Sequence, residues 1–190
     1  MPTELELVAD EARTCTRCGL AAGRTQVVFG RGDPDADLMF IGEGPGQQED
    51  EQGLPFVGRS GQLLDRLLLE ETGLHRDQVR VVNVVMCRPP GNRDPLPEEI
   101  EACSPYLARQ VELTKPKVIV TLGNFASRRV LRTKDGITKL RGRTHPHPSG
   151  AAVVPTFHPA AILRGGAEPM AQMRADLVRA KLVLERGVPT

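Results

Sequence analysis

The chain has 190 residues, with 25 Lys and Arg against 24 Asp and Glu and a net charge of +1, a balance that neither demands nor excludes nucleic acid. Hydrophobic residues at 39% and charged residues at 26% are ordinary for a globular protein with one buried core. No stretch approaches the roughly 20 apolar residues that cross a bilayer, and the start MPTELELVAD lacks the basic-then-apolar pattern of a signal peptide, so a cytoplasmic protein without membrane contact is expected.

In chain order, residues 4–13 read as a short helix. The apolar run 38–41, bounded by Asp37 and Gly42, reads as a buried strand. Residues 58–72 carry Leu63, Leu64, Leu67 and Leu68 at helical spacing and stop at Gly73. The β-branched run 79–85 is a second strand. Residues 97–113 form a helix, with Pro97 in its first turn and Glu98 and Glu99 suited to its N-terminus. Residues 118–122 are a third strand and 124–131 a helix. Residues 152–157 are a fourth strand, where Pro155 predicts an edge or irregular position. Residues 169–184 close the chain as a helix with Met170, Met173, Leu177 and Leu184 on one face. Strands alternating with helices predict an α/β fold: a three-layer α/β/α sandwich on a central four-stranded parallel sheet, with residues 1–190 as a single domain.

The distinctive residues follow the strands. Gly42-Glu43-Gly44-Pro45-Gly46 comes after the first, Asn83 lies near the end of the second, Gly123-Asn124 follows the third and His158-Pro159 the fourth. Open parallel sheets bind ligands at the carboxyl ends of their strands, so these segments are expected to meet in one crevice. Between residues 128 and 143 stand Arg128, Arg129, Arg132, Lys134, Lys139, Arg141 and Arg143 with one acid, Asp135; the cluster suits phosphate contacts or a solvated face equally. Aromatics at 3% argue against a stacking platform for single strands.

Four cysteines remain. Cys15 and Cys18 form a C-x-x-C pair; 68 residues then precede Cys87, and 15 more separate it from Cys103. A reducing cytosol argues against disulfides. A thioredoxin-like pair needs a preceding strand, which is missing, and a zinc ribbon usually has a second compact pair. An iron–sulfur cluster tolerates dispersed thiolates, and four cysteines with none left over favour one four-ligand site; zinc stays open, as do four unconnected cysteines.

The runs Gly42 to Asp50 and Gly53 to Gly61, then Asn83-Val-Val-Met-Cys87-Arg-Pro-Pro90 and Phe157-His-Pro-Ala-Ala-Ile-Leu-Arg164, resemble in order the motifs of the family 4 uracil-DNA glycosylases, from Cys15 to about Arg164. The resemblance implies a hydrolase of base excision repair that flips uracil out of single- or double-stranded DNA and leaves an abasic site. It implies a [4Fe-4S] cluster on Cys15, Cys18, Cys87 and Cys103, and a monomer. Phe56 would stack on the uracil, and Gly42, Glu43 and Gly44 would line its pocket. Asn83 would accept from N3–H and donate to O4, the opposite of cytosine's pattern. His158 would donate to O2 as charge develops there, and Glu43 would stand beside the sugar. Leu163 and Arg164, on a loop, would be wedge and phosphate contact, and Arg88 and Arg93 would lie close to the cluster. Each residue also has a plainer reading: Phe56 a core ring, Asn83 a partner for backbone groups, His158 a turn former.

Three departures from the family pattern stand out. Residues 141–150 lack the expected aromatic and carry His145 and His147, read as surface turn residues. Ala161 replaces a larger residue, often Tyr. Residues 91–95 hold no histidine of the kind that traps DNA covalently in a related group, so ordinary turnover is expected. The rival readings are a non-catalytic nucleic-acid-binding module with a structural iron–sulfur or zinc centre, and an electron-transfer protein; neither explains Glu43, Phe56, Asn83 and His158 together.

Overall fold

The computed structural model describes residues 1–187. Its elements in order are α1 (Glu4–Arg13), β1 (Arg31–Gly32), β2 (Leu38–Gly42), α2 (Gln47–Gln52), α3 (Arg59–Thr72), β3 (Arg80–Asn83), α4 (Pro97–Thr114), β4 (Val118–Leu122), α5 (Gly123–Leu131), α6 (Ile137–Leu140), β5 (His145–Pro146), β6 (Ala152–Thr156), α7 (Pro159–Gly165) and α8 (Ala167–Arg186). They build one sheet in the order β1-β3-β2-β4-β6-β5. The central four strands are parallel, as expected, but β1 and β5 add antiparallel edges, so the sheet is mixed and six-stranded. Strands of two residues carry no periodicity, which is why the sequence pattern hid them.

The strand runs are continuously apolar because both faces are covered. Leu38 and Phe40 of β2 point to one face, where Leu63, Leu64, Leu67 and Leu68 of α3 and Met173, Leu177 and Ala180 of α8 pack with them. Met39 and Ile41, one residue out of phase, face Leu107 and Val111 of α4 and Ala126 and Val130 of α5. Period-2 strands meeting period-3.6 helices thus make the three layers. The first helix, α1, leans on α4 through Val8, Ala12, Met86 and Tyr106. Local chemistry sets its start: Thr3 accepts from Glu6 N while Glu6 accepts from Thr3 N, a reciprocal cap. Gly73, at φ 77°, ends α3 with its N–H on the Leu69 carbonyl.

Pro155 pairs with Thr121 of β4, while on the other side β5 reaches only Ala152 and Val153. The proline therefore sits past the end of the edge strand, which is the position its missing N–H tolerates. His145 lies in β5 with Nε2 2.9 Å from the Leu140 carbonyl, so it is a strand residue and not the expected turn residue. Among the described residues, no helix is long and apolar enough to cross a membrane.

Candidate active site and candidate metal centre

At the carboxyl ends of the parallel strands lies a crevice of 660 Å³. Its walls come from Glu43 to Glu49 after β2, Phe56 to Ser60 before and at the start of α3, Asn83 at the end of β3, Pro89 to Pro95, and His158, Ala160 and Arg164 after β6. Four predicted residues, Glu43, Phe56, Asn83 and His158, are thereby brought together from segments up to 115 residues apart in number (158 − 43). Gly42 lies beneath them: a Cβ there would stand 2.5 Å from Asn83 Oδ1 and 2.6 Å from the Phe56 ring, so only glycine lets the two meet. Gly44 lines the crevice and has Val85 against its own Cβ position.

Asn83 is 1% exposed, and among the described residues its Oδ1 has no hydrogen-bond partner. A carbonyl oxygen buried that way costs about 1–3 kcal/mol until something donates to it. The reading of Asn83 as a satisfier of backbone groups leaves this oxygen unexplained.

His158 caps α7: its Nδ1 accepts from Ala160 N at 3.1 Å. Burial pushes the imidazole down to about 4, with the Arg164 charge acting in the same direction and Glu49 against it. A neutral ring whose Nδ1 accepts must carry its proton on Nε2, so the remaining nitrogen is a donor. The turn-forming and functional readings of His158 are one geometry, because the cap selects the tautomer. Gly123, at φ 88°, lets α5 start against His158, whose Cβ would be 3.1 Å from a Cβ at that position.

Phe56 is buried at 7% exposure, belongs to the core cluster, and holds its ring centroid 5.8 Å from that of His158. Its backbone has φ 55°, a left-handed conformation that costs a bulky residue about 1–3 kcal/mol. The surroundings over-determine it. The Arg76 guanidinium, paired with Asp65, donates to the carbonyls of Pro55 (3.3 Å), Phe56 (3.2 Å) and Gly61 (3.1 Å). Glu49 Oε1 accepts from Val57 N (2.9 Å) and Gly58 N (3.1 Å). Sequence reasoning passed over Glu49 and Arg76, since nothing local signals partners eight and twenty residues away; a buried, charged Arg next to a helix end was the only trace. The Glu43 carboxyl is raised by burial first and the Asp94 charge second.

Leu163 and Arg164 stand on α7 and not on a loop as expected, because Pro159 and the His158 cap start a helix there. Leu163 is 45% exposed, and Arg164 lines the crevice. The basic cluster divides: Arg129 pairs with Glu101, Lys139 with Asp135, and Arg141 with buried Asp176. Arg141 is architectural, since Asp176 also accepts from Thr156 Oγ1 (2.8 Å) just before Phe157 and His158.

The four cysteines come together. Cys15 and Cys18 follow α1, Cys87 follows β3 and Cys103 lies on α4, yet all line one apolar cavity of 20 Å³ with Leu20, Val27, Met86 and Tyr106. Burial pushes the Cys103 thiol up to about 12 and raises that of Cys87 as well, with the Arg24 guanidinium acting against the rise at Cys87. Among the described residues, no three His, Cys, Asp or Glu side chains are disposed to hold a single metal ion. Arg93, expected near the cysteines, instead pairs with Glu99 and lines the crevice, and Arg88 donates to Asn92; Arg17 and Arg24 are the cations of the cavity wall.

The chain is similar to proteins of one family. Residues 29–180 match the family model of the uracil DNA glycosylase superfamily. The chain is 46% identical over 166 residues to a type-4 uracil-DNA glycosylase of Sulfurisphaera tokodaii, covering 84% of this chain and 76% of that one. To the type-4 uracil-DNA glycosylase of Thermotoga maritima it is 44% identical over 184 residues, covering 96% and 95%. A third type-4 relative, from Saccharolobus solfataricus, is 46% identical over 166 residues, covering 84% and 77%.

Proposed function

The chain belongs to the type-4 uracil-DNA glycosylases, and from that premise we propose how its own residues excise uracil from DNA. The reaction is hydrolysis of the N-glycosidic bond, which leaves an abasic site for base excision repair. The observation that carries the residue roles is the bare Oδ1 of Asn83, buried opposite a histidine whose Nε2–H is free. Uracil presents an N3–H donor between two carbonyl acceptors. Asn83 Oδ1 takes N3–H and its amide nitrogen donates to O4, while His158 Nε2 donates to O2. Cytosine offers an acceptor at N3 and a donor at position 4, so both contacts with Asn83 would be repulsive.

Phe56 covers one face of the flipped base, and Gly42 and Gly44 allow it to approach the backbone. As the bond to the sugar breaks, negative charge gathers on the uracil, and the fixed Nε2–H stabilises it where it develops. The sugar becomes cationic; Glu43 stands on that side of the crevice, to orient water and balance the charge. Leu163 and Arg164 meet the DNA as wedge and phosphate contact.

Cys15, Cys18, Cys87 and Cys103 suit a [4Fe-4S] cluster. Four sulfur donors drawn from three distant segments round one apolar cavity, with none left over, suit a cluster that tolerates dispersed thiolates. When bound, the cluster supplies positive charge to buried thiolates and a crosslink between α1, the segment after β3, and α4; hydrolysis moves no electrons. We read residues 1–190 as one domain acting as a cytoplasmic monomer.

The test is release of uracil from oligonucleotides with one uracil opposite guanine or in a single strand, with cytosine and thymine controls, using anaerobically purified protein. Uracil release that Asn83→Ala slows severely is the expected result. Full activity in Asn83→Ala would remove Asn83 from the pocket, and a protein that binds the DNA without releasing base would return the non-catalytic binding module.

A further inference from the structure

One cation at the cysteine cavity is used by neither the sequence motifs nor the reaction. Arg24 lines the 20 Å³ cysteine cavity and also an adjoining surface pocket of 390 Å³, whose other walls include Arg13, Thr25 and Gln26. The two spaces share Ala21, Arg24 and Val27, so these side chains form the partition between the sulfurs and solvent. Two of the three are small or medium apolar groups, and only Arg24 has the reach to span the wall.

Its contacts fix it there. Arg24 Nη1 donates to the Cys15 carbonyl at 2.7 Å and to Cys87 Sγ at 3.6 Å, and Nη2 reaches the Arg13 carbonyl at 3.5 Å. One guanidinium thus joins the end of α1, the first cysteine and the third, which lies 63 residues beyond Arg24 itself. Among the described residues it has no carboxylate partner. The other cation of the wall, Arg17, is committed to Glu11 and lies over the Tyr106 ring at 4.8 Å. Among the described residues this guanidinium touches a sulfur and no carboxylate, so the anion it is placed to pair with is a thiolate of the cavity.

We infer that Arg24 is the counter-charge and the plug of the cysteine site: it offsets the net negative charge of a thiolate-bound iron–sulfur cluster and closes the way to it from the surface pocket. The inference builds on the cluster reading above. Groups that hydrogen-bond to metal ligands and control solvent access tune such sites strongly, and their loss typically costs about 10–100-fold in metal affinity.

The experiment is iron extraction. Wild-type protein, Arg24→Ala, Arg24→Lys and Arg13→Ala are purified without oxygen and their iron and sulfide are counted. Each is then exposed anaerobically to EDTA while the brown absorbance is followed. Arg24→Ala is expected to lose iron about 10–100-fold faster than wild type. Arg24→Lys keeps the charge but not the fork, so its rate falls between. Arg13→Ala opens the same surface pocket without touching a sulfur and should match wild type. Equal rates for Arg24→Ala and wild type overturn the inference, and so does an Arg13→Ala as fast as Arg24→Ala. Should Arg24→Ala not fold, Arg24→Met, which keeps the stem without the charge, replaces it in the same comparison. Wild-type protein that holds no iron at all sinks the cluster reading itself, an outcome the iron count separates from failure of the Arg24 role.

Discussion

Asn83 and Cys87 are four residues apart in the chain, yet they line sites that use burial in opposite ways. In the 660 Å³ crevice, burial strips Asn83 Oδ1 of partners and keeps His158 neutral, so the groups are set for a ligand that arrives from outside. In the 20 Å³ cavity, burial works against the thiolate form of Cys87 and Cys103, so anionic sulfurs there would need positive charge beside them. The difference shows that a desolvated polar group is a recognition device where the space is open and polar. Where the space is closed and apolar, the same desolvation is a demand for a permanent partner. The segment between them is pinned: Val84 N and Val85 N donate to the carbonyls of Gly42 (2.9 Å) and Glu43 (3.0 Å), and the Met86 carbonyl accepts from Val28 N (2.8 Å).

Substitutions in the two regions should therefore separate. His158→Ala removes the donor to developing charge and should lower kcat by about 10²–10³-fold, as loss of one such donor does elsewhere, with iron content unchanged; parallel loss of iron would show the regions are not independent. Asn83→Ala should cost roughly 1–3 kcal/mol of transition-state binding, about 5- to 150-fold in kcat/KM for uracil. Gly42→Ala forces the Asn83 amide and the Phe56 ring apart and should destabilise the fold by about 1–3 kcal/mol, measured by denaturant unfolding, while weakening uracil binding. Cys87→Ser should abolish bound iron, read by metal analysis, and speed hydrogen exchange from 84 to 104 before the sheet loosens. Its effect on excision should be smaller than that of either pocket variant; an equal loss would mean that the cavity shapes the crevice directly.

A separate effect concerns pH. The folded His158 sits at about 4, below the roughly 6.5 of a free histidine, so the unfolded chain binds more protons between those values. The stabilising contribution is complete above pH 6.5 and is lost as pH falls toward 4. Melting temperatures of wild type and His158→Gln, compared from pH 7 to pH 4, should converge as pH falls; a constant gap would mean that the ring is not held neutral.

Much of this was legible in the chain. The four parallel strands lie within a residue or two of the apolar runs that announced them, because strands buried on both faces leave unbroken hydrophobic sequence. Leu63, Leu64, Leu67 and Leu68 likewise announced α3. Gly42, Asn83 and His158 could be singled out by their positions at the ends of strands, and Phe56 by the family resemblance of residues 53–61. The helix α7 was hidden, since seven residues begun by a His–Pro pair look like a turn. Arg24, Glu49, Arg76 and Asp176 were hidden for another reason: their partners lie 63, 8, 20 and 35 residues away, and no local pattern records a bond of that kind.

By itself the sequence determined the layers, the parallel core and the residue types available to each site, since periodicity and turn chemistry act over a few residues and are written where they act. Only the tertiary structure decided the state of those residues: that among the described residues Asn83 keeps a bare oxygen and Arg24 faces a sulfur and no carboxylate, that the Ala160 amide leaves the His158 proton on Nε2, and that Phe56 is held at a positive φ. Those are properties of burial and of partners distant in the chain, and they come into being only when the segments close on one another.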